Sequence, residues 1–169
     1  MTRLMRDSTA LKDIPIHGTD LVAGYVNGDY VATEKDFARF RGIPHVHIDV
    51  LARAADEAGV LDYETGNPRT PDTCADWAKE RNKLHPGYPA VIYCNRSHLT
   101  PLFNAMNAAG LRIVKDFRLW IATLDGTKTV PDMTGVTAVQ FAGANITGGH
   151  YDESIVYDDT WHPSHVTHG

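Results

Sequence analysis

Short apolar runs that end in polar or charged residues recur along this 169-residue chain. Leu21-Val22-Ala23-Gly24-Tyr25-Val26 runs into Asn27-Gly28-Asp29, and His45-Val46-His47-Ile48-Asp49-Val50 alternates polar and apolar positions. Val60-Leu61-Asp62-Tyr63-Glu64 follows, then Pro89-Ala90-Val91-Ile92-Tyr93-Cys94 leading into Asn95-Arg96. Phe117-Arg118-Leu119-Trp120-Ile121-Ala122, Thr137-Ala138-Val139-Gln140-Phe141 and Ser154-Ile155-Val156-Tyr157 complete the series. With a short strand near residues 4–8, the pattern predicts about eight strands.

Helical patterns sit between several of these strands. Residues 33–40 open on Thr33 with Asp36 three positions on, an N-cap signature. Residues 52–58 are short and alanine-rich. Residues 70–84 predict the best helix: Thr70 can cap it, Pro71 opens it, and Cys74, Ala75, Ala78 and Leu84 fall roughly on one face. Residues 100–109 follow, with Pro101 near the start and Gly110 after the end. Strand–helix alternation with short loops points to a parallel α/β sheet, and eight strands in sequence to a closed (β/α) TIM-like barrel. The connections before Leu21 and after Gly126 are too short for a full helix. The barrel is therefore expected to be irregular, stripped down or partly antiparallel. One domain over 1–160 accounts for the pattern, and the segment 161–169, with Pro163, Gly169 and three histidines, is expected to be a mobile tail.

Composition narrows the function classes. The net charge of −5 is spread along the chain with no basic block, which argues against nucleic acid as a partner. No run approaches the ~18 apolar residues of a membrane span. The N-terminal residues Met1-Thr2-Arg3-Leu4-Met5-Arg6-Asp7 carry no apolar core of a secretory signal. Cys74 and Cys94 lack metal-type spacing and are expected to be buried free thiols. No cofactor is called for.

The candidate chemistry lies in acidic residues at strand ends. On a strand through 60–64, Asp62 and Glu64 point the same way, ~7 Å apart. Repulsion and burial can then keep Glu64 protonated beside a charged Asp62, the arrangement that glycoside hydrolysis needs. In a barrel, Asp7 ends the first strand and Asp152 just precedes the last. Tyr93 and Asn95 end the fifth, while Trp120 and Gln140 sit in the sixth and seventh. Acidic groups gathered at one barrel mouth repel one another, which stability alone does not explain. Neighbouring aromatics suit the apolar C–H faces of a sugar ring. Tyr25 shares a strand face with Asn27 and can line the same mouth.

Asp7, Leu61-Asp62-Tyr63-Glu64 and Tyr88-Pro89-Ala90-Val91-Ile92-Tyr93 resemble the glycoside hydrolase family 25 lysozymes, as do Leu119-Trp120-Ile121-Ala122, Val139-Gln140-Phe141 and Gly149-His150-Tyr151-Asp152. The resemblance runs from Asp7 to Tyr157, and is closer to the compact domains of this kind in actinobacteria and their phages. It implies an irregular eight-stranded barrel that cleaves the β-1,4 bond between N-acetylmuramic acid and N-acetylglucosamine in cell-wall peptidoglycan. It makes Glu64 the general acid/base and gives Asp62 the stabilisation of positive charge in the transition state. Asp7 and Asp152 complete the acidic ring. Tyr25, Tyr93, Asn95, Trp120 and Gln140 are the residues expected to bind substrate. The resemblance also implies a phage-encoded lysin or virion component made in the host cytoplasm, or else a bacterial cytoplasmic or non-classically exported protein.

Two other readings follow from departures and leftovers. The second strand lacks the family's polar pattern, and Val139-Gln140-Phe141 stands where the family has Trp-Gln-Tyr. A non-catalytic phage virion or carbohydrate-binding module, with virion proteins as partners, is therefore the alternative to a glycosidase acting on cell-wall glycan. His45, His47 and Asp49 alternate on one strand face, a spacing that can bind zinc given further ligands from Asp62, Glu64 or Asp7. The simpler expectation is partly exposed strand histidines and no metal.

Overall fold

The computed structural model describes residues 2–64, 70–129, 131–157 and 161. Eight strands close into a barrel in chain order: β1 (Arg3–Asp7), β2 (Leu21–Tyr25), β3 (His45–Asp49), β4 (Val60–Tyr63), β5 (Ala90–Asn95), β6 (Phe117–Ala122), β7 (Val136–Ala142) and β8 (Asp152–Val156). β1 through β7 run parallel, and β8 closes the ring antiparallel to both β7 and β1. The expected α/β barrel is thus present, partly antiparallel at its seam. The connection 143–151 is shorter than the dozen or so residues that the crossover to a parallel eighth strand takes.

Strand alternation divides the core in two. Met5, Leu21, Ala23, Val46, Ile48, Val60, Val91, Trp120, Ala138 and Val156 pack together inside the barrel. Trp161 joins them, its ring 6.3 Å from that of Trp120, and its carbonyl accepts a hydrogen bond from Arg3 at the start of β1. Trp161 therefore closes the end of the barrel opposite the strand C-termini. The rest of the predicted tail, 162–169, lies outside the described residues.

The outer layer is uneven. Helices α2 (Pro71–Leu84) and α3 (Leu99–Ala108) pack on one another and cover β4, β5 and β6. Thr70 caps α2 by accepting from the Thr73 amide, and Cys74, Ala75, Trp77 and Ala78 form its buried face. Cys74 and Cys94 are both buried thiols. Burial pushes the Cys94 thiol up to about 12, with Cys74 beside it adding to the shift.

Across β2 the cover is thinner. The single turn α1 (Glu34–Phe37) carries the predicted capping box between Thr33 and Asp36, and a 3-10 turn, Ala38–Phe40, follows it. Phe37 and Phe40 pack with Leu11, Ile14 and Val22. This close approach requires Gly24, because a Cβ there would meet Phe37 Cζ at 2.8 Å. The last short helix, α4 (Ala144–Thr147), joins β7 to β8. Among the described residues, no helix is long and apolar enough to cross a membrane.

Residues 52–58 depart from expectation. They form turns rather than a helix, with Ala52 at φ +53°. The cause is Asp49, whose carboxylate accepts from the amides of Leu51, Arg53 and Ala54 at 2.6 to 2.8 Å. Amides drawn to a side chain in this way wrap around it instead of building a helical ladder.

Candidate active site

At the C-terminal ends of β1 to β7 the barrel opens on a cavity of about 260 Å³. Its wall includes Asp7, Asp62, Glu64 and Asp152 together with Tyr25, Tyr93, Trp120 and Gln140. Eight of the nine residues proposed from the sequence thus meet in one place. This is the face where barrels of this kind carry their chemistry.

Register explains the gathering. Asp7 and Asp152 are direct partners across the antiparallel pair β1–β8. Asp62 stands beside Tyr93 across β4–β5, and Tyr93 beside Trp120 across β5–β6. A register shift between Gln140 and Ala142 separates the ladder at Gln140 from the strand end, as bulges near barrel rims commonly do. β4 ends at Tyr63, so Glu64 lies one residue past the strand and is exposed, although it still lines the cavity.

The burial that strand alternation suggested for Glu64 falls on Asp7 instead. Asp7 is buried, and its Oδ1 has no hydrogen-bond partner. Burial pushes its carboxyl well above the ordinary aspartate range, and Asp152, Asp62 and Glu64 add repulsion in that order. Asp152 is also shifted upward by burial. The Ala144 amide at the start of α4 and the Gln140 side chain oppose that shift, while Glu64 adds to it.

Gln140 organises the opposite wall. Its Nε2 donates to Asp152 Oδ2 at 2.8 Å, and its Oε1 accepts from the Tyr93 hydroxyl. One amide with one donor side and one acceptor side therefore fixes both neighbours at once. Burial, then the nearby Glu64, Asp7 and Asp62, raises the Tyr93 phenol, so this hydroxyl is a hydrogen donor and not an anion. Tyr25 is raised for the same reasons, burial first and Asp7 second.

Trp120 forms the floor rather than a side wall. Only 1% of it is exposed, its Nε1 donates to Ser154 Oγ at 3.0 Å, and Tyr93 meets it edge-on at 4.9 Å. Asn95 stands apart from the cavity. Its side chain accepts from the Ser97 amide and hydroxyl and so caps the 3-10 turn Arg96–His98. The sequence did not single out Ile48, Leu124 or Gly143, which complete the wall. Leu124 sits at φ +53° and is half exposed at the rim, its amide and that of Thr123 both turned onto the Gln140 carbonyl. No residue pattern marks such a position in advance.

The zinc reading has no geometry behind it. His45 and His47 face outward and pack on the Phe37 ring at 4.7 and 5.0 Å. Asp49, on the same outer face, is enclosed by Asn27, Trp77 and three backbone amides. Among the described residues, no three His, Cys, Asp or Glu side chains are grouped to hold a metal ion.

No protein-family model matches the chain. No curated protein matches it either. Among solved structures it is similar to the spore cortex lytic enzyme SleM of Clostridium perfringens, with a TM-score of 0.61 at 15% identity. The alignment covers 94% of this chain and 68% of SleM. At that identity the likeness establishes the shared barrel fold and leaves the chemistry to the residues described above.

Proposed function

We propose that this protein is a glycosidase acting on the N-acetylated glycan of bacterial cell walls, in the manner of a muramidase. The observation that carries the reading is the convergence of Asp7, Asp62, Glu64 and Asp152 on one open cavity floored by Trp120. A similarly folded protein that is a spore cortex lytic enzyme supports a cell-wall substrate.

In this reading Glu64 is the general acid/base. It is the carboxyl at the open rim, where a glycosidic oxygen arrives and a leaving sugar departs. Asp62, buried beside Tyr93, stabilises positive charge as it develops on the ring or on an oxazolinium formed from the acetamido group. Gln140 holds Asp152 and Tyr93 in fixed orientation against the bound sugar. Asp7 presents an unpartnered carboxyl oxygen from below.

The test is reducing-end release and turbidity clearing on purified peptidoglycans, with wild type beside Glu64→Gln. Wild type should release reducing ends. Glu64→Gln should lose about 10²–10⁴-fold in rate while melting at the same temperature, the scale of a lost general acid. If the folded wild type releases nothing from any wall, the hydrolase reading fails and the non-catalytic reading, a carbohydrate-binding or structural module, takes its place.

A further inference from the structure

A second cavity adjoins the first on the β2–β3 side of the mouth. It measures about 310 Å³ and shares Tyr25 and Asp62 with the carboxylate cavity, so the two are immediate neighbours at the same mouth. Each is near or below the lower end of the ~300–1,000 Å³ that holds a drug-sized ligand, room for about one sugar ring.

Its lining is unlike that of its neighbour. Tyr30 and Leu51 contribute apolar surface and are 60% and 40% exposed. Asp29 and Thr9, both exposed, contribute a carboxylate and a hydroxyl. Large apolar side chains left in water beside a cavity offer apolar surface that a ligand seated there would cover.

The cavity is also built in advance. Asn27 Oδ1 accepts from the amides of Val50 and Leu51, and its Nδ2 donates to Asp49 at 2.8 Å. That side chain ties the loop after β2 to the loop after β3. Gly28, at φ +85°, lets the first loop pass over Val50, with which any Cβ there would collide. The Ala32 amide returns the loop to the Tyr25 carbonyl at 2.8 Å. Two loops are thus held at a fixed spacing, with Tyr30 and Leu51 facing the gap.

We infer that this second cavity is a subsite for the sugar ring adjacent to the one held over Asp62 and Glu64, on the same glycan strand. Tyr30 and Leu51 lie against the apolar face of that ring, and Asp29 and Thr9 meet its hydroxyls. The inference rests on the glycan reading of the carboxylate cavity and adds to it the direction in which the strand extends.

Calorimetric titration of the Glu64→Gln protein with N-acetylglucosamine oligomers of increasing length tests it. Affinity should rise when the oligomer becomes long enough to span both cavities. Tyr30→Ala or Leu51→Ser in that background should remove about three- to ten-fold of affinity for the longer oligomers, the range of a lost aromatic or apolar contact. Ile16→Ser, at a position 45% exposed in the loop before β2, should change nothing. Melting temperatures should match throughout.

Wild-type turnover, measured in parallel, separates the two readings. Turnover with oligomer affinities untouched by Tyr30→Ala and Leu51→Ser overturns the subsite alone. Tyr30-dependent binding of long oligomers without turnover retains the subsite and overturns hydrolysis. Neither binding nor turnover overturns both.

Discussion

Asp7 and Asp49 are each the last residue of a barrel strand, β1 and β3, and both are buried. Their surroundings are opposite. Asp49 faces outward and accepts five hydrogen bonds, from Asn27, Leu51, Arg53, Ala54 and Trp77 Nε1. Asp7 faces inward, with Oδ1 unpartnered and three other acidic residues around it. Burial alone would push the Asp49 carboxyl up, but these donors outweigh it and hold it below the ordinary range, whereas nothing offsets burial at Asp7. A saturated buried carboxylate fixes loops, as Asp49 does for 50–54. An unsaturated one costs stability and leaves an oxygen for a ligand.

The largest effect expected from this contrast is at Asp49. Asp49→Ala strands three backbone amides, the Trp77 indole and Asn27 in a buried site. It should lower unfolding free energy by about 3–5 kcal/mol, since each buried donor left unsatisfied costs about 1–3 kcal/mol and some of the five will find water. Urea denaturation measures it. A loss below about 1 kcal/mol would mean that the donors find other acceptors, and the structural role assigned to Asp49 would fall.

Asn27 belongs to the same hub and is less buried. Asn27→Ala removes the donor to Asp49 and the acceptor for Val50 and Leu51, and should cost about 2 kcal/mol. Combined with Asp49→Ala, the two losses should fall short of their sum, because both variants break the same network. Strict additivity would place Asn27 outside the hub. Because Asn27 also spaces Tyr30 from Leu51, this variant should weaken binding of long oligomers as well.

The same contrast shows what could be read from the sequence. β6 coincides with its apolar run, and the seven other strands fall within two residues of theirs, because a buried strand needs only local alternation. α2 begins where Thr70 and Pro71 predict. Alternation also placed His45, His47 and Asp49 on one face, but not which face. That depends on the closing of the barrel. The 52–58 segment failed because its amides are drawn to Asp49, whose carboxylate is held in place from Asn27, 22 residues upstream. Asn95 has the parity of Tyr93, yet the chain turns at Arg96 and its side chain caps that turn. The gathering of Asp7 and Asp62 was legible because the C-terminal ends of parallel barrel strands share one rim, whereas Asp152, the first residue of β8, reaches that rim because β8 runs antiparallel. The Gln140 bridge between Tyr93 and Asp152 was not, since it depends on side-chain direction beside a register shift.

The smallest effect has the opposite sign and depends on pH. Asp7→Asn replaces an acid whose carboxyl burial and its acidic neighbours raise with a neutral side chain of the same shape. A carboxyl raised in the fold contributes stability that is complete below its unfolded value and is lost as pH rises through its folded value. Asparagine does not titrate, so Asp7→Asn should match wild type in acid and become more stable by about 1 kcal/mol once wild-type Asp7 is forced to ionise. Asp49 runs the other way. Its contribution is present above its unfolded value and is lost as pH falls through the depressed folded one, so the cost of Asp49→Ala should shrink in acid. The groups that set the Asp7 curve are Asp152 on β8, Asp62 and Glu64 at β4, Tyr25 on β2 and Tyr93 on β5. Melting temperatures of wild type and both variants across the acid-to-neutral range test the crossing slopes. A stabilised Asp7→Asn protein that releases fewer reducing ends would carry the signature of a residue kept for its site at the expense of the fold. Equal loss of stability in both variants would erase the distinction between the two aspartates.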